Sequence, residues 1–407
     1  MSKKKLMLLG GLSYLIPVIE TAHKLGIHVI TVDYLPDNTA HKYSDEYHNV
    51  NIVDIDAVLQ LARELQIDGI MSFAVDPGVI TAAYVAEKMN LPFQCSFENA
   101  CILQDKSLFR KFLKDNKFNT PKALSFSKEE DALNNVDDFS WPIIVKPVDS
   151  AGSKGVTKVE EKSMLPEAIK RALDKSFSGK FIVEEFLDIV GFQSSADCFT
   201  INGHLDYCTF SDQIFDRNIA NPFVPIAEIY PSTMDMHYQN ALKGDLQRLF
   251  DLLKVKDGIY NIESRVCSNG KVYIMEVSPR GGGNMLAKLQ DMAANQNLIE
   301  NEVRKAVGLE LKPMCNPLYD GVWASFALYT SNTGYYDSIR MNSVIKELNV
   351  KATFINVQKE DAVHTFTGAN SCLGDVLLRC NDREEMDELV YGSSNWLNIV
   401  VKSNTRY

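Results

Sequence analysis

The chain has 407 residues, of which 45% are hydrophobic, 10% aromatic and 23% charged. That composition is globular and excludes collagen-like, disordered and disulfide-scaffold classes, and the length corresponds to two to four domains of roughly 100–200 residues. With 42 Lys plus Arg against 53 Asp plus Glu, the net charge is −11. The chain therefore lacks the broad positive field that holds nucleic acid, while a local basic pocket for a small phosphate ligand stays compatible.

Taken from the N-terminus, Lys3-Lys4-Lys5 followed by Leu6–Leu9 loosely mimics a signal peptide. Gly10-Gly11 and Ser13 break the apolar stretch and no small-residue cleavage site follows, so a first buried strand is expected instead. No apolar stretch reaches the ~18 residues of a membrane helix, and no two of the eight cysteines are spaced as CxxC. Idle thiols in a reducing, cytoplasmic compartment are expected, with no membrane partner. Tyr14–Leu25 reads as a helix ending at Gly26, Ile27–Val32 as a strand, and Asp54 as the cap of a helix over Ile55–Gln66. Ile67–Phe73 reads as a third strand and Pro77–Met89 as a third helix. The alternation predicts a doubly wound parallel sheet, with Gly10–Ser13, Asp33 and Ala74–Pro77 at the carboxyl ends of its strands, as plain turns or as a ligand-binding rim.

The pattern changes near Asp105. Lys106–Asn116 reads as a polar helix and Ile143–Lys146 as a strand, separated by the mixed stretch Ser125–Ser140. Ser195–Ile201 and Leu205–Phe210 meet at Asn202-Gly203, a hairpin signal. A long helix is expected over His237–Leu253, then a second hairpin of Ile259–Val266 and Lys271–Val277, then one helix over Leu286–Val307. Val322–Tyr329, Ala352–Asn356 and Val376–Cys380 read as strands of a smaller α+β unit.

No P-loop, GxGxxG, HExxH or GxSxG motif is present. Five features in order make a coherent site instead. Lys146 closes an apolar strand, where an ammonium could neutralise phosphate. Asp149–Val156 follows as a loop with two glycines, two hydroxyls and a lysine, amide-rich and able to close over phosphates. Phe181–Leu187 is a strand ending in acids, whose backbone could frame an adenine. Glu263 and Glu276 lie on the two arms of the second hairpin, each among apolar residues; two such neighbouring carboxylates call for a cation, and Mg²⁺ with nucleotide phosphates is the natural one. Ser278–Asn284 then supplies Arg280 and three glycines for an anion.

In their order and spacing, Lys106, Ile144–Pro147, Ser150–Gly155, Glu184–Leu187, Glu263 and Glu276–Arg280 resemble the ATP-grasp superfamily over about residues 100–310. Glu-Val-Ser-Pro-Arg and the following glycines look most like carboxylate–amine (L-amino acid) ligases, with phosphoribosyl-glycinamide-type and carbamoyl-phosphate-synthase-type members also similar. The resemblance implies an α/β and α+β fold: an N-terminal doubly wound domain over 1–100, an ATP-grasp domain of two α+β subdomains over 101–310, and a C-terminal α+β domain over 311–407. It implies ATP with Mg²⁺ (or Mn²⁺), small carboxylate and amine substrates, and a homodimer as one possible assembly. Lys106 and Lys146 would hold the α- and β-phosphates. Ser150, Gly152, Ser153, Lys154 and Gly155 would form the lid. Glu184, Glu185, Phe186 and Leu187 would frame the adenine, through backbone groups of Glu185 and Leu187. Glu263 and Glu276 would ligate metal, with Ser278 standing where many members have Asn. Arg280, with Lys146, would stabilise the transferring γ-phosphoryl group, and Gly281, Gly282 and Gly283 would position the acceptor carboxylate. Gln193 stands where related proteins carry a ribose-binding carboxylate, a contact that could shift to Glu185.

The reaction implied is phosphorylation of a carboxylate followed by amine attack on the acyl phosphate. Two alternatives stay open: a carboxylase that phosphorylates bicarbonate, and a non-catalytic nucleotide sensor. Asp212, Asp216, Arg217 and His237 are further candidate substrate contacts.

Overall fold

The computed structural model describes residues 3–150, 152–368 and 371–403. The chain opens with four parallel strands in the order Glu46–His48, His28–Val32, Lys5–Leu9, Gly69–Ser72. Leu6 and Leu8 enter one core with Ile19 and Val29, while Met7 and Leu9 enter another with Ile30 and Val58. Both faces of the sheet are covered, so its central strands read as unbroken apolar runs. The edge strand Glu46–His48 escapes sequence reasoning because its three residues are polar and only half-buried. Asp54 accepts from the Ala57 amide and caps Ile55–Leu65 as expected.

Two antiparallel sheets follow. The first runs Ala123–Phe126, Phe181–Glu185, Ile143–Pro147, Thr157–Val159. The second runs His204–Cys208, Ser194–Ile201, Gly258–Val266, Val272–Ser278. Both expected hairpins form; Asn202 and Gly203 take positive φ of 52° and 79°, as a tight hairpin turn requires. Leu242, Leu246, Leu249, Phe250 and Leu253 of the helix Met236–Leu253 pack in one core with Tyr260, Ile262 and Ile274 of the second sheet.

The single helix expected over Leu286–Val307 is two, Leu286–Ala293 and Leu298–Ala306. Asn295 breaks it in the left-handed region, which Asn tolerates, and Asp291 accepts from the Leu298 amide to restart the second helix. Five antiparallel strands form the last large sheet, in the order Asp212–Phe215, Pro225–Tyr230, Val322–Leu328, Gly374–Cys380, Val350–Ile355. Two of these strands precede residue 310, so this sheet crosses the boundary read from the sequence. No helix among the described residues is long and apolar enough to cross a membrane.

Candidate active site

The hairpin of Gly258–Val266 and Val272–Ser278 sets Glu263 directly opposite Glu276 in register. Directly opposed residues share one face, with Cβ atoms about 5 Å apart. Burial and the nearby Glu276 both push the Glu263 carboxyl up. Cationic side chains surround the pair. Asp105 accepts from the Ser107 and Leu108 amides and so starts the helix Lys106–Asp115 with Lys106 in its first turn. Lys106 Nζ then lies 3.2 Å from Glu276 Oε2. Burial opposes the charge on Lys106, but Glu276, Glu263 and Asp76 hold its ammonium above the ordinary lysine value.

Lys146 reaches the same region from the strand Ile143–Pro147. Its Nζ sits 2.7 Å from Glu184 Oε2, and Arg110 Nε lies 2.8 Å from Glu184 Oε1. The Arg110 contact is one of charge rather than an aligned hydrogen bond. Burial, with Arg110 and Lys106 nearby, pulls Lys146 down to about 8 against the pull of Glu184. Burial also opposes ionised Glu184, yet Arg110 and Lys146 hold its carboxyl down at about 2. The Glu184 side chain is thus the anchor of Lys146.

Arg280 closes the far side. Its Nε and Nη2 donate to the two carboxylate oxygens of Asp76 at 2.9 and 2.8 Å, and Nη1 donates to the Gly281 carbonyl. Ser278 Oγ donates to Asp76 at 3.0 Å and accepts from Gln104 Nε2 at 2.6 Å. The Ser278 hydroxyl is therefore held between those two groups. Gly281 is required by packing: a Cβ there would lie 2.4 Å from the Phe73 ring. A Cβ on Gly282 would come within 2.8 Å of Asn261 and Leu286, and the Gly282 amide donates to Asp197. Gly283 has open space around it.

A family model of the ATP-grasp domain matches residues 139–288, and one of the ATP-grasp N-terminal domain matches residues 19–93. The chain carries an ATP-grasp domain. It is 24% identical over 242 residues to the D-alanine–D-alanine ligase of Parabacteroides distasonis, covering 58% of this chain and 68% of that protein. It is 25% identical over 224 residues to the carbamoyl phosphate synthase large chain of a Thermoanaerobacter strain. That match covers 54% of this chain and 20% of the relative, so the chain spans about a fifth of its length. Among solved structures, the fold resembles L-amino acid ligase from Bacillus licheniformis with a TM-score of 0.79 at 20% identity, covering 99% of this chain and 100% of that one. Phosphoribosylglycinamide synthetase from Anaerococcus prevotii gives a TM-score of 0.76, also at 20% identity, over 98% and 100% of the two chains.

The loop Asp149–Val156 follows Lys146, and its Ala151 lies outside the described residues. Gly152, Ser153 and Gly155 take positive φ of 69°, 55° and 71°. Ser153 Oγ donates to the Phe223 carbonyl, and Asn221 Nδ2 donates to the carbonyls of Ser153 and Thr367. This loop is thus tied to the five-stranded sheet's side of the molecule. Lys106 Nζ also donates to the Ser150 carbonyl at 2.9 Å, and the half-buried Lys154 feels the charge of Asp76.

Past the strand Phe181–Glu185, the Phe186 amide donates to Pro142, Lys158 covers the Phe186 ring, and Leu187 packs against Cys267, Tyr273 and Met275. Glu185 Oε1 accepts from the Ser140 amide. Gln193 stands beside the opposed carboxylates: its Oε1 accepts from Arg265 Nε at 2.7 Å, and its Nε2 donates to Gln213 and, at 3.4 Å, to Glu263. The Gln193 amide oxygen is therefore held by Arg265. Asp212 is committed to Ser232, Thr233 and Arg383, while His237 stands exposed at the start of its helix.

Sequence reasoning did not single out Asp76, Arg110, Asp197, Asn261 or Glu228. Asp197 accepts from Asn261 Nδ2 and the Gly282 amide, and burial still pushes its carboxyl up to about 6. Burial likewise pushes Glu228 up to about 8, although Ser211 and Gln213 donate to it. Asp76 had a signal, since it falls on the predicted rim Ala74–Pro77. The others had none, because each is defined by a partner far away in the chain.

Among the described residues no group of three or more metal-ligating side chains occurs. Two opposed carboxylates nevertheless fit Mg²⁺, which takes one or two protein carboxylates and completes its shell with phosphate oxygens and water.

Proposed function

We propose that the chain is an ATP-dependent carboxylate–amine ligase. The observation that carries this reading is the register of Glu263 against Glu276, ringed by Lys106, Lys146 and Arg280. Opposed, half-buried acids facing ammonium groups suit a metal–triphosphate complex. When bound, Mg²⁺ would neutralise phosphate charge from Glu263 and Glu276. Lys106 and Lys146 would hold the α- and β-phosphates, and Arg280 would meet charge on the transferred group.

In the reaction proposed, an acceptor carboxylate oxygen attacks the γ-phosphorus, the bond to the β-γ bridging oxygen breaks, and ADP leaves. An amine then attacks the acyl carbon, the C–O bond to phosphate breaks, and an amide forms with loss of a proton. The residues contribute position and charge complementarity. The lid Ser150–Gly155 excludes water, which would otherwise hydrolyse the acyl phosphate. Names of similar proteins, such as D-alanine–D-alanine ligase and L-amino acid ligase, support this class.

The test is a coupled ADP-release assay over paired amino acids, bicarbonate and small acids, with Glu276→Ala as control. Release that needs both a carboxylate and an amine and is abolished in the variant is expected. Release driven by bicarbonate alone favours a carboxylase, and nucleotide binding without turnover favours a sensor.

A further inference from the structure

A buried charge pair outside the candidate site reaches the loop that carries Arg280. Lys305 and Glu302 lie three residues apart on the helix Leu298–Ala306, both buried, with Lys305 Nζ 2.7 Å from Glu302 Oε1. Glu302 Oε2 accepts from the Ile259 amide of the strand Gly258–Val266. Lys305 Nζ also donates to Gln94 Oε1 at 2.7 Å. Gln94 Nε2 in turn donates to the carbonyl of Pro279, the residue before Arg280. A buried ion pair is by itself weak evidence for stability, because both charges lose water. The geometry here leads instead to one backbone carbonyl at the site.

The direction of these bonds is fixed by chemistry. An ammonium only donates and a carbonyl only accepts, so Gln94 turns its amide oxygen to Lys305 and its nitrogen to Pro279. The positive charge on the oxygen polarises the amide and makes Nε2 a stronger donor, an effect that the low dielectric of the interior preserves. The Gln94 main chain is held as firmly. Its carbonyl accepts from the Lys256 amide at 2.7 Å and from the Tyr260 hydroxyl at 2.8 Å. Gly258, at a φ of 149°, packs so closely that a Cβ there would lie 2.6 Å from Gln94 Cβ. Gln94 therefore offers a donor whose backbone and side chain are both fixed. The Pro279 carbonyl belongs to the peptide plane that carries the Arg280 nitrogen, so fixing it sets where the Arg280 side chain departs. Asp76 holds the far end of that side chain, and the Ala74 amide holds the carbonyl of Gly281.

We propose that Gln94 is a positioning residue for Arg280, aiming its guanidinium by holding the Pro279–Arg280 peptide plane. The proposal rests on the ligase reading above, in which Arg280 meets charge on the transferred group. Gln94 itself touches no reacting atom. A displacement of about 1 Å, caused far from the chemistry, costs about a hundredfold in rate. The charge that Arg280 meets develops as the phosphoryl group moves, so the loss falls on kcat and leaves nucleotide binding in place.

The test is steady-state ADP release by the full chain, with the carboxylate and amine that drive it, read beside thermal melts. Gln94→Met, close in shape, removes both amide hydrogen bonds. Its kcat is expected to fall at least about tenfold while KM for ATP stays within about twofold. Tyr260→Phe removes the hydroxyl bond to the Gln94 carbonyl and leaves the Gln94 side chain in place; its kcat is expected to stay within about twofold, whatever its Tm. An unchanged kcat in Gln94→Met, or losses of kcat that follow Tm in both variants, would overturn the proposal. Should Gln94→Met not fold, a crystal structure of the wild-type chain decides: Gln94 Nε2 on the Pro279 carbonyl supports the proposal, and Gln94 turned elsewhere overturns it. The ligase reading fails separately, if the wild-type chain releases no ADP with any acid. The positioning is then read from melts of Gln94→Met, Asp76→Ala and the two combined. Losses that do not add are expected, since both residues hold one short segment, and strictly additive losses overturn it.

Discussion

Arg280 and Asp76, 204 positions apart in the chain, form a two-point ion pair that joins the loop after the Glu263–Glu276 hairpin to the rim of the N-terminal sheet. Burial opposes the charge on Asp76, but Arg280, Ser278 and Lys106 hold its carboxyl below the ordinary range. The Ala74 amide, donating to Gly281, reinforces the same junction. Removing one partner of a buried pair leaves the other charge uncompensated, at a cost of about 3 kcal/mol. Asp76→Ala should therefore lower the unfolding midpoint by several degrees and reduce ADP release. Thermal unfolding and the coupled assay on the same preparation check both. An unchanged midpoint would mean that the clasp contributes nothing.

The carboxylate pair makes a prediction of opposite sign for stability. Glu263 is strained by burial and by Glu276 in the nucleotide-free protein. Glu263→Gln should raise apparent stability without metal by about 1 kcal/mol, as relief of active-site strain commonly does. It should also lower Mg²⁺-dependent turnover by about a hundredfold or more. Chemical denaturation with and without Mg²⁺, alongside steady-state kinetics, separates the two effects.

Lys146 sets a pH limit. Its ammonium is held down at about 8, chiefly by burial. Nucleotide affinity that uses this charge should weaken as pH rises through that value, by up to about tenfold per pH unit for one proton. Folding linkage has the other sign. Between about 8 and the ordinary lysine value of 10.5 the unfolded chain binds more protons, so the nucleotide-free protein gains stability from this group as pH rises. Nucleotide titrations and thermal melts across pH 7–10 measure the two trends; affinity that is flat up to pH 10 would remove Lys146 from phosphate binding.

Glu228 acts oppositely in the acid-to-neutral range. Its carboxyl is raised from 4.5 to about 8, so the folded chain holds a proton that the unfolded chain has lost. Stability from this group is complete below the unfolded value and is lost as pH rises through about 8. Glu228→Gln should be more stable than wild type above pH 8, with the advantage gone below about pH 4.5. Melting curves at both ends decide it.

What could be read without coordinates was local. The alternation of Ile259–Val266 and Lys271–Val277 around a Ser-Asn-Gly turn was enough to set Glu263 and Glu276 on one hairpin, and strand register then made them neighbours. The N-terminal apolar runs marked a sheet covered on both faces, although the short polar edge strand Glu46–His48 and the break at Asn295 left no such pattern.

The sequence by itself determined most of the elements, the hairpin and the residue types gathered around Glu263 and Glu276, because side-chain periodicity and turn chemistry act over a few residues. Only the tertiary structure decided that Glu184 holds Lys146, that Asp76 holds Arg280, and that Asp197 holds the Gly282 amide. Those facts depend on which distant groups share a low-dielectric interior. Coulomb energy and desolvation follow distance in space, which chain spacing does not record.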